Sequence, residues 1–143
     1  MMSITHSTIA AAGASLILGT ADPLSLALAI LGSQLPDLDT TQSLIGQICY
    51  PISSWLEDRF PHRSLTHSLL ATATLMALSI GISQFWFGMG WKVALALPLG
   101  HLLSCVSDCF TKQGVQLFWP EPAWCLSVSN SRRRLSSGRA GEL

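Results

Sequence analysis

The stretch Thr66-His67-Ser68-Leu69-Leu70-Ala71-Thr72-Ala73-Thr74-Leu75-Met76-Ala77-Leu78-Ser79-Ile80-Gly81-Ile82-Ser83-Gln84-Phe85-Trp86-Phe87 carries no charged side chain after His67 and ends on three aromatic rings. Crossing the hydrocarbon of a bilayer takes about 20 apolar helical residues. Aromatic rings gather at the boundary of that layer. The stretch therefore reads as a membrane helix.

The reading extends outward in both directions. Gly88 and Gly90 mark a turn, and Trp91 to about Phe110 forms a further apolar helix with Pro98 as a kink. Upstream, residues 7–20 and 23–35 are apolar and short. Asp22-Pro23 between them has the form of an N-cap followed by proline at the first helical position. These two pieces either span with the help of flanking residues or form a hairpin that enters the layer only in part. Residues 44–60 mix Ile45, Ile48, Trp55, Leu56 and Phe60 with Gln47, Glu57, Asp58 and Arg59, the pattern of a segment lying along an interface.

Composition agrees. The chain has 143 residues, is 49% hydrophobic and only 11% charged, against about 25% charge in an ordinary globular domain. Net charge is zero, so nothing in bulk composition points to nucleic acid. No Lys or Arg precedes Arg59, so the first segment lacks the basic start of a signal peptide and is expected to be retained. Cys49, Cys105, Cys109 and Cys125 form no CxxC pair and read as small apolar packing residues rather than as a disulfide or zinc-thiolate site. The expected fold is an all-α, small multi-pass membrane bundle of about four apolar helices with an interfacial segment. Residues 1–120 form the embedded domain, and 121–143 form a basic, disordered tail.

Reversing direction at each apolar segment gathers the polar groups. His6, Asp37, Asp39, His62 and His67 fall on one face, and the last helix brings His101 and then Asp108 back towards it. Arg59, Arg63, Lys112, Arg132, Arg133, Arg134 and Arg139 share that face, with Lys92 alone opposite. By the positive-inside rule this face and the C-terminus are cytoplasmic. Ionisable groups beside hydrocarbon are costly unless paired or metal-bound, which makes the set a candidate site.

Asp37 and Asp39, two residues apart after Pro36, can each offer carboxylate oxygens to an ion. His62 can approach from a loop and His67 from a first helical turn. The alternative for both is an interfacial imidazole bonded to backbone or water, and for the aspartates a solvated turn. His6 lies near the terminus, where a histidine is often simply exposed. His101 stands about 10 Å along the helix from Asp108, so one ion cannot bind both. Asp108 is the better ligand, and His101 orients a ligand, binds a second ion or packs against Ser104. Carboxylate oxygens suit zinc, manganese or magnesium, and imidazoles shift the choice towards zinc, manganese or iron. Arg63 beside such an ion suits a phosphate group.

Four stretches carry a resemblance: Thr5-His6; Leu35-Pro36-Asp37-Leu38-Asp39; His62-Arg63-Ser64-Leu65-Thr66-His67-Ser68; and Gly100 through Asp108 and Thr111 to Gly114, followed by Leu117-Phe118-Trp119-Pro120. Together they resemble the YdjM-like family of small bacterial inner-membrane proteins, described as membrane-bound metal-dependent hydrolases. The resemblance implies a divalent metal (Zn, Mn or Mg) on His6, Asp37, Asp39, His62, His67 and Asp108. Asp39, His62 and Arg63 are then the catalytic groups. The expected activity is hydrolysis by metal-bound water at the cytoplasmic face of the bacterial inner membrane. The expected partners are membrane lipids and an amphipathic or lipid-linked phosphoester, without nucleic acid. Two positions depart from the family pattern: Thr40 and Ser104 stand where the family has histidines. They favour the alternative, a non-catalytic integral membrane protein with a structural metal, transport or scaffolding role.

Overall fold

Local chemistry sets each helix boundary in the computed structural model, which describes residues 3–111, 113–121 and 123–125, with backbone only at Ser3, Trp86 and Phe87. Helix α1 runs Ser3–Leu18 and stops at Gly19, whose φ of 57° lies in the left-handed region that glycine enters without strain. Helix α2 runs Pro23–Gln34, capped by the Asp22 carboxylate, which accepts from Ser25 N at 2.9 Å. It passes into a 3₁₀ turn, Leu35–Asp39. Ser43 caps the short α3, Leu44–Ile48, and α4 follows at Tyr50–Arg59. A second 3₁₀ turn, Leu65–His67, precedes α5, Leu69–Ile82, whose first turn is capped by Ser68 Oγ accepting from Ala71 N. After a π turn at Ser83–Phe87 comes α6, Trp91–Asp108, with Pro98 inside it.

Helix α6 is the centre: α1, α2 and α5 all pack on it. Its closest neighbour is α2, and glycine makes that approach possible. A Cβ on Gly32 would lie 2.0 Å from the Leu97 carbonyl oxygen, and one on Gly100 would lie 1.9 Å from that of Ala29. Around this crossing the core is built of small residues, Ala14, Ala29 and Ala96 with Leu18. Large aliphatic and aromatic side chains point outward instead, among them Ile4, Leu16, Ile17, Leu78 and Phe85. This reverses the usual tendency of large apolar residues to fill the interior. The interior takes His6, Asp39, His67, His101 and Asp108.

The expected multi-pass membrane bundle is corrected. The chain is all-α, but among the described residues no helix is long and apolar enough to cross a membrane. The quoted stretch 66–87 is not one helix. Ser68 starts α5 only after the 3₁₀ turn, and a π turn follows Ile82, so α5 has 14 residues. At 1.5 Å per residue it rises about 21 Å, short of a hydrocarbon layer of about 30 Å. The 18 residues of α6 hold Lys92 and Pro98. Residues 44–60 are no lone interfacial strip: they form α3 and α4, which pack on the Leu35–Asp39 turn. Thr41 N donates to Glu57 Oε2 on α4 at 3.0 Å. Placement as an integral inner-membrane protein loses its basis with the spans, as do membrane lipids and a lipid-linked substrate as partners. The basic positions invoked for a cytoplasmic C-terminus, Lys112, Arg132, Arg133, Arg134 and Arg139, lie outside the described residues, as does the expected tail from residue 126 on.

The α2–α6 contact yields a paired test. Gly32→Ala or Gly100→Ala should each destabilise by about 1–3 kcal/mol, because a backbone carbonyl stands where the methyl must go. Gly81→Ala, on α5 with open space around it, should instead stabilise by about 0.5–1 kcal/mol. Denaturant midpoints of the three variants check this. Equal effects at all three positions would contradict the close crossing.

Candidate functional site

Four chain segments deliver polar side chains to one end of the bundle: the start of α1 with His6, the turn after α2 with Asp37 and Asp39, the turn before α5 with His67, and the end of α6 with Asp108. His6, Asp39, His67 and Asp108 are each at most 2% exposed. Buried ionisable groups survive only when their charges are answered, and the distances show how this is done.

His67 sits at the centre. Its Nε2 lies 3.4 Å from Asp108 Oδ2 and 3.9 Å from Asp37 Oδ1, and its Nδ1 lies 3.7 Å from Asp39 Oδ2 and 3.2 Å from Thr66 Oγ1. Burial alone would favour the neutral ring, but the Asp108 and Asp39 carboxylates outweigh it and raise the pKa to about 9. His6 approaches the same carboxylate from the other side, with Nε2 3.5 Å from Asp108 Oδ1. Its Nδ1 meets Ser104 Oγ at 2.8 Å and Ser107 Oγ at 3.2 Å. Burial outweighs the attraction of Asp108 and Asp37, so His6 is pushed towards its neutral form. Burial would raise the Asp108 carboxyl, yet His67, His6 and Arg63 hold it well below the usual carboxylate range.

Asp39 belongs to a neighbouring arrangement. Its Oδ1 accepts from His62 Nδ1 at 2.8 Å and its Oδ2 from the backbone N–H of Arg63 at 2.8 Å. Against its burial, the hydrogen bond of His62 and the nearby His67 ring hold this carboxyl far below its ordinary value. Among the described residues Arg63 is the non-glycine residue with positive φ, 66°, a conformation costing about 1–2 kcal/mol. The constraint is visible: its N–H is bound to Asp39 while its guanidinium turns inward. There Nη1 donates to Thr111 Oγ1 at 2.7 Å, and Nη2 lies 3.7 Å from Asp108 Oδ1.

The six expected ligands thus divide. His6, Asp37, His67 and Asp108 converge, while Asp39 and His62 form a separate hydrogen-bonded pair that touches the cluster through His67. His101 stands apart. Its Nε2 faces the Thr66 carbonyl at 2.9 Å, its Nδ1 faces Thr72 Oγ1 at 2.9 Å, and burial lowers its pKa to about 4. The ring braces the turn that carries His67. Ser104 faces His6, and Thr40 shapes the Asp39–Ser43 turn, its carbonyl accepting from Ser43 N. Ser107 gives no signal in sequence, because a serine on an apolar helix has no periodic mark.

Among the described residues no group of three or more His, Cys, Asp or Glu side chains stands as a ready metal centre. The donors stand within ion-pair distance of one another, and the expected metal-dependent hydrolase function is corrected accordingly. A metal-dependent hydrolase at a membrane face therefore lacks both of its expected supports, the spans and the centre, and so does its non-catalytic membrane counterpart.

Comparison with known proteins places the chain. Residues 1–137 match the family described as YdjM inner membrane protein. The chain belongs to this family. The membership bears on descent, while the membrane-bound, metal-dependent hydrolase expected from the resemblance conflicts with the helix lengths and the ion-paired cluster. Inner membrane protein YdjM of Escherichia coli (strain K12) is 38% identical over 93 residues, covering 64% of this chain and 47% of that protein. The Shigella flexneri protein of the same name gives the same figures. An uncharacterized protein, YvsG, of Bacillus subtilis (strain 168) is 29% identical over 100 residues, covering 69% of this chain and 59% of its own. The chain thus spans about half the length of the curated relatives it matches. No solved structure matches it.

The charge arrangement dictates a pH profile for cation-free protein. His67, raised to about 9, contributes stability that is complete below its unfolded value of about 6.5 and is lost as pH rises through 9. His101, lowered to about 4, and His6, also lowered, contribute stability that is complete above about 6.5 and is lost as pH falls. Asp39 and Asp108 add to the acid-side loss below about pH 4. The melting temperature measured in chelator should therefore peak near pH 6.5, and His67→Gln should flatten the alkaline limb. A melting temperature still rising between pH 7 and 9 would contradict these assignments.

Proposed function

We propose that the chain binds a divalent cation at His6, Asp37, His67 and Asp108, exchanging the His67 proton for the ion. One observation carries the reading. Nε2 of His6 and Nε2 of His67 both face the Asp108 carboxylate, one on each oxygen, at 3.5 and 3.4 Å, and among the described residues neither nitrogen has a hydrogen-bond partner. Hydrogen bonds of this kind close to about 2.7–3.2 Å. Donors around a tetrahedral zinc, with bonds of about 2.0–2.2 Å, stand about 3.3–3.6 Å apart.

The surroundings support it. Metal-binding histidines are held through the other ring nitrogen, and both Nδ1 atoms here are so engaged, that of His6 by Ser104 and that of His67 by Thr66. Two imidazoles with two carboxylates suit zinc or manganese better than magnesium, which favours oxygen alone. When bound, such an ion supplies Lewis acidity to an oxygen that completes its coordination. Arg63, Asp39 and the two serines would keep the ligand set oriented and its charge balanced.

Zinc titration followed by calorimetry, with metal analysis of the isolated protein, tests this. One ion per chain is expected. Affinity should rise about tenfold per pH unit between pH 6.5 and 8.5, because one proton must leave His67. His6→Gln, His67→Gln and Asp108→Asn should each weaken binding by at least about a hundredfold. Asp22→Asn, at the far end of α2, should leave it unchanged. Absence of saturable binding, or wild-type affinity in His67→Gln, would overturn the proposal.

A further inference from the structure

His101 is buried on α6, about two turns before Asp108, and lies outside the four-ligand set. The segment that leads into α5 already engages both of its ring nitrogens, so it offers none to an ion. Nε2 meets the Thr66 carbonyl at 2.9 Å, and Nδ1 meets the Thr72 hydroxyl at 2.9 Å. A carbonyl oxygen only accepts, so Nε2 carries the hydrogen of that bond.

The carbonyl held in this way is one side of the Thr66–His67 peptide unit. On the other side the His67 N–H donates to the Ser64 carbonyl at 3.2 Å. A peptide unit is planar, so holding its oxygen and its N–H sets the plane and with it the direction in which the His67 side chain leaves the backbone. The Thr66 hydroxyl, 3.2 Å from His67 Nδ1, adds a contact to the ring itself. The turn needs such support. Leu65–His67 is a 3₁₀ turn of three residues, and the hydrogen bonds of a 3₁₀ turn are poorer than those of an α-helix. His101 can give that support because its own backbone is held: a Cβ on Gly32 would lie 3.2 Å from the His101 nitrogen, at the close crossing of α2 and α6. One imidazole thus connects the most tightly packed part of the bundle to the turn that carries His67.

We propose that His101 is a positioning residue of the cation site, which aims His67 at Asp108 through the Thr66–His67 peptide without touching the ion. The inference rests on the cation reading and adds to it a residue that sets the affinity. Binding groups act at full strength only when held within about 0.5 Å of their productive places, and the Thr66 contact is what holds His67 there.

Zinc titration by calorimetry of the full chain and of three variants tests it, with absorption spectra of the same proteins loaded with cobalt in place of zinc. His101→Leu, which has no donor for the Thr66 carbonyl, should bind zinc about tenfold more weakly or worse. His101→Gln offers an amide N–H to that carbonyl and should stay within about threefold of the unaltered chain. Thr72→Val keeps the side-chain shape and loses the hydroxyl that steadies the ring, and should weaken binding by about threefold. The cobalt spectrum reports the geometry at the ion, which a mere loss of fold stability does not alter. Its visible bands should change in His101→Leu and return in His101→Gln. Unaltered zinc affinity and cobalt spectrum in His101→Leu would overturn this inference alone. A loss in His101→Gln as large as in His101→Leu, with Thr72→Val without effect, would trace the loss to packing and overturn it too. Absence of zinc binding by the unaltered chain would overturn the cation reading and this inference with it.

Discussion

A charged imidazole enclosed by carboxylates is the interaction on which the site depends. His67 is fully buried, and Asp39 and Asp108 keep its proton in place to about pH 9. Because Asp39 follows α2, His67 precedes α5 and Asp108 ends α6, this one group joins three segments distant in sequence. His6 adds α1. Each partner is itself buried, so removing any of them leaves an uncompensated charge, and loss of one partner from such a pair is far more costly than the pair is stabilising.

Placing those groups requires the helices to be close. Gly32 and Gly100 let α2 and α6 meet backbone to backbone, which brings the end of α2 and the end of α6 to a common level. Small side chains fill the space between, and the large apolar ones are displaced to the outer faces, where the described residues leave them uncovered. The bundle therefore takes its order from close helix contact and polar pairing more than from a core of bulky side chains.

Much of this was readable in sequence, and the reasons differ by residue. Asp22-Pro23 announced the start of α2, and the reversal of apolar segments brought His6, Asp37, His67 and Asp108 to one end, since short connections between helices leave little other choice. Apolarity, however, says nothing of length along one axis. Ser68 and the π turn after Ile82 cut the 66–87 run into a helix too short to span, and a hydropathy reading passes over such interruptions. The split of Asp39 and His62 from the other donors depends on the positive φ of Arg63, which no residue type announces. The part played by His101 was open because two helical turns separate it from Asp108. Its bond to the Thr66 carbonyl depends on how α5 and α6 pack.

A cation bound as proposed replaces the proton on His67 Nε2. Nitrogen-15 NMR of the imidazole side chains, recorded at neutral pH before and after one equivalent of zinc, addresses it atom by atom. On zinc binding His67 should lose its Nε2 hydrogen and the Nε2 resonances of His6 and His67 should both move to metal-bound values, while His101 is unchanged. Nε2 resonances of His6 and His67 that stay where they were, with His67 still doubly protonated, would contradict it.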